Sequence, residues 1–281
     1  MLWQARVEEF YSPLTDRHSP KAAAEATRTI AQSMAKLKKM RLDLFLVEQG
    51  FFASREQAQR AVMAGEVRIG DQVIRKSSVM VQPGTAVSLQ TPPPYVSRGG
   101  TKLEGALDHF EISPQGLVAL DIGASTGGFT DCLLQRGASK VYAIDVGLGQ
   151  LAWRIRTDPR VVVREKLNAR YLSREDIPEK IDLCVIDVSF ISLTLILSNA
   201  FDLVTPNGVI LALIKPQFEL QATDVAHGGI VRDPVLHEKA QNKIRDFVVN
   251  SGHNVIGIVR SSITGADGNQ EFFICVRRKS V

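Results

Sequence analysis

The sequence is poor in the residues that build cross-linked or metal-held scaffolds. Its 281 residues include three cysteines, Cys132, Cys184 and Cys275, far apart and without Cys-x-x-Cys spacing. That scatter argues against a disulfide framework or a zinc site and fits a reducing, cytoplasmic compartment. Long apolar runs are missing as well. Stretches such as Val209 to Ile214 fall well short of the roughly 20 residues that a membrane-spanning helix needs. The N-terminus shows no apolar core with a cleavage site, so secretion is not expected. There is no internal repeat, and the only biased tract is one proline cluster.

Charge is present but lopsided. Residues 1–102 hold 15 Lys and Arg against 9 Asp and Glu, while the remainder holds 19 against 21. A basic front before a slightly acidic body suggests a polyanion grip attached to something else, although a solvated basic face satisfies the same counts.

Residues 1–39 read as an extension, Ala-rich from Lys21 to Ala35. A short helix, a disordered arm and translation from Met34 or Met40 all remain open there. Residues 40–90 form a compact pattern. Leu42, Phe45, Leu46 and Phe51 have helical spacing, stopped by Gly50. Ser54 with Gln57 three positions later resembles a capping box opening a second helix, with Ala58, Ala61 and Val62 as its apolar stripe. Short strands follow at Val67 to Ile69, Val73-Ile74 and Ala86 to Leu89. Thr91-Pro92-Pro93-Pro94 is a stiff linker, taken as residues 91–97. A helical stretch then opens at Arg98 and runs through Leu107.

From residue 98 to 281 the pattern changes. Leu117 to Ile122, Lys140 to Asp145, Val161 to Arg164, Leu183 to Asp187 and Gly208 to Ile214 are short, apolar and β-rich, with helical stretches between most of them. This predicts an α/β domain with a mostly parallel sheet covered on both faces. Val255 to Arg260 and Glu271 to Arg277 follow each other without a helix. They predict an antiparallel pair at the end of the sheet.

Asp121-Ile122-Gly123-Ala124-Ser125-Thr126-Gly127-Gly128-Phe129 follows the first of these strands and opens a helix. Small residues there let a ligand approach the backbone and the free N–H groups of the helix start. The spacing is neither Gly-x-Gly-x-x-Gly nor that of a phosphate-gripping P-loop. The second strand ends in Asp145, beside Val146, where a carboxylate can accept hydrogen bonds from a ribose diol. Asn168, after the third strand, is placed to reach an adenine edge. A bare strand–helix turn would explain the glycines alone. The pairing of Asp121 with Asp145 favours a nucleoside-bearing cofactor.

Asp187 ends the fourth strand and Lys215 the fifth, so both side chains should meet over one crevice. A lysine held beside carboxylates is an expensive arrangement without a task. Lys102 and Glu271 lie near helix and strand starts, and on spacing alone they read as unrelated surface charges. If the donor is a sulfonium and the acceptor a ribose hydroxyl, a lysine near the oxygen stabilises developing alkoxide charge, and no metal is needed.

Taken together, these runs resemble a known family. The second domain is similar to the FtsJ-type 2′-O-methyltransferases. From about residue 40 to the end, the chain more closely resembles the TlyA (hemolysin A) family of rRNA methyltransferases. The resemblance rests on Arg41-Leu42-Asp43, Ser54-Arg55, Val96-Ser97-Arg98-Gly99-Gly100-Thr101-Lys102-Leu103 and the run from Asp121 to Asp131. It continues through Asp187-Val188-Ser189-Phe190-Ile191-Ser192, Lys215-Pro216-Gln217-Phe218-Glu219 and Gly228-Gly229-Ile230-Val231-Arg232-Asp233. It implies a Rossmann-like fold, S-adenosylmethionine as cofactor, and a Lys-Asp-Lys-Glu tetrad falling on Lys102, Asp187, Lys215 and Glu271. It also implies methylation of cytidine ribose in ribosomal RNA or ribosomal subunits. Without a spanning segment no membrane association is expected, and no obligate protein partner is evident. The front domain resembles the small RNA-binding module named after a ribosomal small-subunit protein (the "S-four" domain). There Arg41, Ser54, Arg55, Arg60 and Lys76, with Arg98 beyond the linker, would face RNA phosphates. The rival readings are a non-catalytic RNA-binding or ribosome-assembly protein and a hemolysin-like membrane-active protein. A base methyltransferase lacks support, since no Asn-Pro-Pro-Tyr-type motif is present.

Overall fold

The computed structural model describes residues 39–90, 93–226 and 228–279. The extension read at residues 1–39 lies outside the described residues apart from Lys39, and so do Thr91 and Pro92 of the linker. The chain divides into two compact units between Pro92 and Pro93.

The first unit contains β1 (Met40–Arg41), α1 (Leu42–Glu48), α2 (Arg55–Ala64), β2 (Val67–Ile69), β3 (Gln72–Ile74), β4 (Met80–Val81) and β5 (Val87–Leu89). Leu42, Phe45 and Leu46 are buried with Ala58, Ala61 and Val62 in one small core. The Ser54 hydroxyl accepts the Gln57 N–H, and Gly65 ends α2 in the left-handed conformation. β2 pairs antiparallel with β3 and with β5. The pairing of β1 with β4 was not foreseen, because two-residue strands are too short to show an alternation. Phe51, expected on the apolar face of the first helix, lies past its end at Glu48 and is 39% exposed.

The second unit contains α3 (Arg98–His109), β6 (Val118–Ile122), α4 (Gly128–Gln135), β7 (Lys140–Ile144), α5 (Trp153–Arg156), β8 (Val161–Arg164) and β9 (Ile181–Ile186). It continues with α6 (Thr194–Leu203), β10 (Val204–Ile214), α7 (Pro216–Glu219), α8 (Pro234–Asn250), β11 (Asn254–Arg260) and β12 (Phe272–Arg277). One seven-stranded sheet has the order β11-β12-β10-β9-β6-β7-β8. The five strands from β8 to β10 in that order are parallel, and β12 is antiparallel to both β10 and β11. The antiparallel pair therefore lies at the end of the sheet as expected, with β11 at the edge and β12 one strand further in. Composition explains this. Phe273, Ile274, Cys275 and Val276 are all fully buried, as a central strand requires, whereas Ile256 of β11 is 48% exposed.

Alternation divides the strand residues between two faces. Leu120, Ile122, Ile144, Ile186 and Ile214 pack with α6 and α8. Ala119, Ala143, Val185, Leu213 and Phe273 pack with α3 and α4. Each fully buried Leu or Ile stabilises the fold by roughly 1.5–3 kcal/mol relative to exposure.

The chain leaves β6 toward β7 and β8, then returns to β9 on the other side of β6. The carboxyl ends of β6 and β9 thus form a topological switch point, where α/β sheets bind ligands. The backbones come very close there. Gly123 has φ +89, and a Cβ on it would lie 2.2 Å from the Asp187 carbonyl oxygen. The starts of α3 and α4 touch in the same way, since a Cβ on Gly128 would meet Ser97 Oγ at 2.2 Å and the Gly100 nitrogen at 2.9 Å. Tyr95 is buried, and the Val96 N–H donates to Asp131 of α4 at 2.8 Å. The last residues of the expected linker therefore belong to the packed second unit.

Gly123→Ala is expected to lower unfolding free energy by at least about 1–3 kcal/mol, from the positive φ and the clash together. A urea midpoint equal to that of the wild type would contradict the close approach of β6 and β9.

Candidate active site

Three carboxylates stand at the carboxyl ends of three neighbouring strands: Asp121 in β6, Asp145 after β7 and Asp187 after β9. Asp121 is fully buried. Thr130 donates to its Oδ2 at 2.6 Å, while its Oδ1 has no hydrogen-bond partner among the described residues. Burial pushes Asp121 up to about 7, and the charges of Asp187 and Asp145 push in the same direction. Asp145 accepts the N–H groups of Ser125 and Gly147, both at 2.7 Å. Each of its oxygens keeps a further lone pair for a hydroxyl.

A cleft of about 500 Å³ is lined by two of these acids, Asp145 and Asp187, while Asp121 is buried and lines no part of it. Ile122, Ile144, Val146 and Leu167 line it with Asp145 and Asn168. Apolar walls together with a carboxylate suit a nucleoside. The Asn168 side chain accepts the Arg170 N–H at 3.0 Å, which leaves its amide N–H groups as donors.

A smaller cavity of about 120 Å³ adjoins the cleft through Gly123, Ser125 and Asp187. Ser97, Gly99, Ala124, Thr126, Gly128 and Phe129 complete much of its wall, and Lys102 reaches it. Gly127 has φ +94 and starts α4, whose first N–H groups lack helical partners.

Lys102 and Glu271 are separated by 169 positions, yet Lys102 Nζ donates to Glu271 Oε2 at 2.6 Å and both are buried. Lys215 Nζ lies 2.6 Å from Asp187 Oδ1 and donates to Ser189 Oγ at 2.9 Å. The contact with Asp187 is an ion pair by distance, without hydrogen-bond alignment at that oxygen. Lys102 and Asp187 line the same small cavity. Each lysine–carboxylate pair thus contributes one residue to the wall of this cavity.

The basic residues of the first unit are arranged differently from a free phosphate grip. Asp43 is fully buried and accepts from Arg41 Nη2 at 2.8 Å, Arg55 Nε at 3.0 Å and Gln59 Nε2 at 2.7 Å. The hydrogen bond from Arg41 holds the Asp43 carboxyl well below the usual carboxylate range, with Gln59 and Arg55 adding to it. Two guanidinium groups are therefore fixed at the surface by one acid. Ser54 is engaged as a helix cap, while Arg60 and Lys76 are exposed. Arg98, in the second unit, donates to the Thr264 carbonyl at 2.9 Å. Sequence reasoning passed over Thr130, Ser189 and Asp43 as functional candidates, although each lay inside a quoted run.

Comparison with known proteins agrees with this architecture. Residues 95–278 match the FtsJ-like methyltransferase family and residues 40–87 the S4 domain. The chain is 45% identical over 239 residues to the YqxC protein of Bacillus subtilis, covering 84% of this chain and 85% of that one. It is 42% identical over 245 residues to the 16S/23S rRNA (cytidine-2′-O)-methyltransferase TlyA of Mycobacterium tuberculosis, covering 86% and 91%. A solved structure from Streptococcus thermophilus, described as a hemolysin, superposes with TM-score 0.66 at 42% identity, covering 87% and 90%. The chain belongs to the FtsJ-like methyltransferase family. It is an S-adenosylmethionine-dependent methyltransferase.

The site fits that cofactor. Asp187 lines both cavities, and Asp121, buried on the adjacent strand, keeps one oxygen without a donor, so the carboxylates there suit a ligand that carries ammonium and sulfonium charge. Binding a cation favours ionised Asp121, so cofactor affinity should rise with pH through about 7 and level off above it. In Asp121→Asn, calorimetric titration should show weaker binding with that pH dependence removed. An unchanged profile would contradict the assignment.

Proposed function

We propose that this enzyme methylates the ribose 2′-hydroxyl of cytidine in ribosomal RNA, within the cytoplasm. The observation that carries the reading is that two lysine–carboxylate pairs, Lys102–Glu271 and Lys215–Asp187, each place one member, Lys102 and Asp187, on the wall of one small cavity beside a nucleoside-sized cleft. Asp121, Asp145, Val146, Asn168 and the backbone from Gly123 to Phe129 hold the cofactor, which supplies an electrophilic methyl group when bound. The names of relatives support the substrate class.

The residues have distinct tasks in this reading. A ribose hydroxyl is a weak acid, so its oxygen needs a cation nearby as negative charge develops. Lys215, held by Asp187 and Ser189, supplies it. Asp187, ion-paired with Lys215, relays the hydroxyl proton. The buried Glu271 orients Lys102 at the far wall. Fixing two reactants in line accounts for much of the rate, up to about 7–11 kcal/mol of barrier in well-oriented systems.

The rim of the site favours RNA. Phe190 is 90% exposed, and with Phe218, Leu195 and Arg170 it borders a groove of about 500 Å³. Aromatic and guanidinium faces beside a reacting centre suit an unstacked base. In the first unit Arg41, Ser54, Arg55, Arg60 and Lys76 supply phosphate contacts, with Arg98 on the second. The hemolysin name of one solved relative finds no spanning element here. No helix among the described residues is long and apolar enough to cross a membrane.

The test is transfer of tritium from methyl-labelled cofactor to unmodified ribosomal subunits, followed by digestion to nucleosides. Label in 2′-O-methylcytidine is the expected result. Label in a methylated base would overturn the tetrad, and cofactor binding with no label on RNA would favour the non-catalytic reading.

A further inference from the structure

The turn after β9 is held by a buried acid to which the chemistry above gives no task. Phe190 has φ +64 and an almost fully exposed ring. A side chain in left-handed backbone persists only where its surroundings over-determine it. The restraint lies two and three residues on. Glu219, at the end of α7, is buried and accepts from Ser192 Oγ at 2.6 Å and from the Leu193 N–H at 2.7 Å. Lys243, from the middle of α8, donates to Glu219 Oε2 at 3.0 Å and to the Glu219 carbonyl at 2.7 Å. It also reaches Ser192 Oγ at 3.2 Å.

The neighbouring residue completes the brace. Phe218 packs on Phe190 with ring centroids 5.0 Å apart. Across the groove, the Asn199 amide donates to the carbonyls of Ala169 and Arg170 at 3.1 and 2.7 Å. The run Lys215-Pro216-Gln217-Phe218-Glu219 therefore has two ends with different work. Lys215 stands at the reacting centre, and Phe218-Glu219 grip the turn that carries Phe190.

We propose that Glu219, partnered by Lys243, is a positioning residue that fixes the Phe190 turn so that the acceptor nucleotide meets Lys215 and Asp187 in register. This rests on the reading of the site as an RNA methyltransferase. The chemistry of the clamp calls for a carboxylate. The Leu193 N–H and the Lys243 ammonium are both obligatory donors, and only an acceptor-only side chain satisfies both while also receiving the Ser192 hydroxyl. Glu219→Gln keeps the volume but places an NH₂ group against one of those donors.

Two measurements on the full chain test this. The first is hydrogen exchange across residues 186–197. Glu219→Ala, which removes both acceptors, should raise exchange at the Leu193 amide by about tenfold or more, as loss of a charge-assisted hydrogen bond implies. Unchanged protection would overturn the clamp whatever the substrate. The second is steady-state transfer to RNA. Glu219→Gln should raise KM for RNA about tenfold while cofactor Kd stays the same. In a Phe190→Ala background the same substitution should change KM by less than roughly twofold, because coupled positions are not additive. Full additivity, or a parallel loss of cofactor affinity, would reduce Glu219 to a general structural role and overturn the proposal. Phe190→Ala with unchanged KM would overturn the positioning role while leaving methyl transfer intact. Absence of RNA methylation by the wild type would instead be the failure of the underlying functional reading.

Discussion

The gathering of negative charge at the carboxyl edge of the sheet is the constraint on which the site depends. Asp121, Asp145 and Asp187 come from β6 and from the ends of β7 and β9, and these strands are held in register by the parallel ladder. Like charges this close, with Asp121 fully buried, oppose one another's ionisation. The arrangement is tolerable only with cations nearby. Lys215 supplies one, and a sulfonium ligand with an ammonium group would supply more. The close approach of Gly123 to the Asp187 carbonyl makes the gathering possible, since any side chain there would push β9 away.

Topology places the remaining charges. Parallel strands end at the active edge, but an antiparallel strand begins there. Because β12 runs opposite to β10 and lies beside it, the residue just before β12 reaches the same edge as Lys215 at the end of β10. In the register, Ile214 pairs with Phe272. Glu271 and Lys215 are thus brought to neighbouring positions by one reversal of strand direction. Lys102 arrives from α3, whose start is packed on α4 through Gly100 and Gly128.

This explains which parts of the molecule were legible in the sequence. The alternation of short apolar strands with helices was strong enough to predict a mostly parallel α/β sheet. The paired acids at the carboxyl ends of β6 and β7 pointed to a nucleoside-bearing cofactor. Lys102 and Glu271 read as unrelated charges on spacing alone, because 169 positions separate them and the insertion of β12 between β10 and β11 is not a local property. The resemblance to known methyltransferases joined the two before the geometry did. The Asp43 hub and the Glu219 clamp were hidden for the same reason. Each gathers donors from separate segments, and a single Asp or Glu in a helical stretch carries no sign of that.

In the proposed reaction Lys215, held by Asp187, acts on the acceptor oxygen rather than on the cofactor. The most direct measurement is single-turnover methyl transfer by Lys215→Ala together with calorimetric cofactor binding. Transfer should fall by about 10²–10³-fold or more, the scale of losing a preorganised charge at a developing oxyanion, with cofactor Kd nearly unchanged. Substantial residual transfer, or a cofactor affinity that collapses in step with it, would contradict the account.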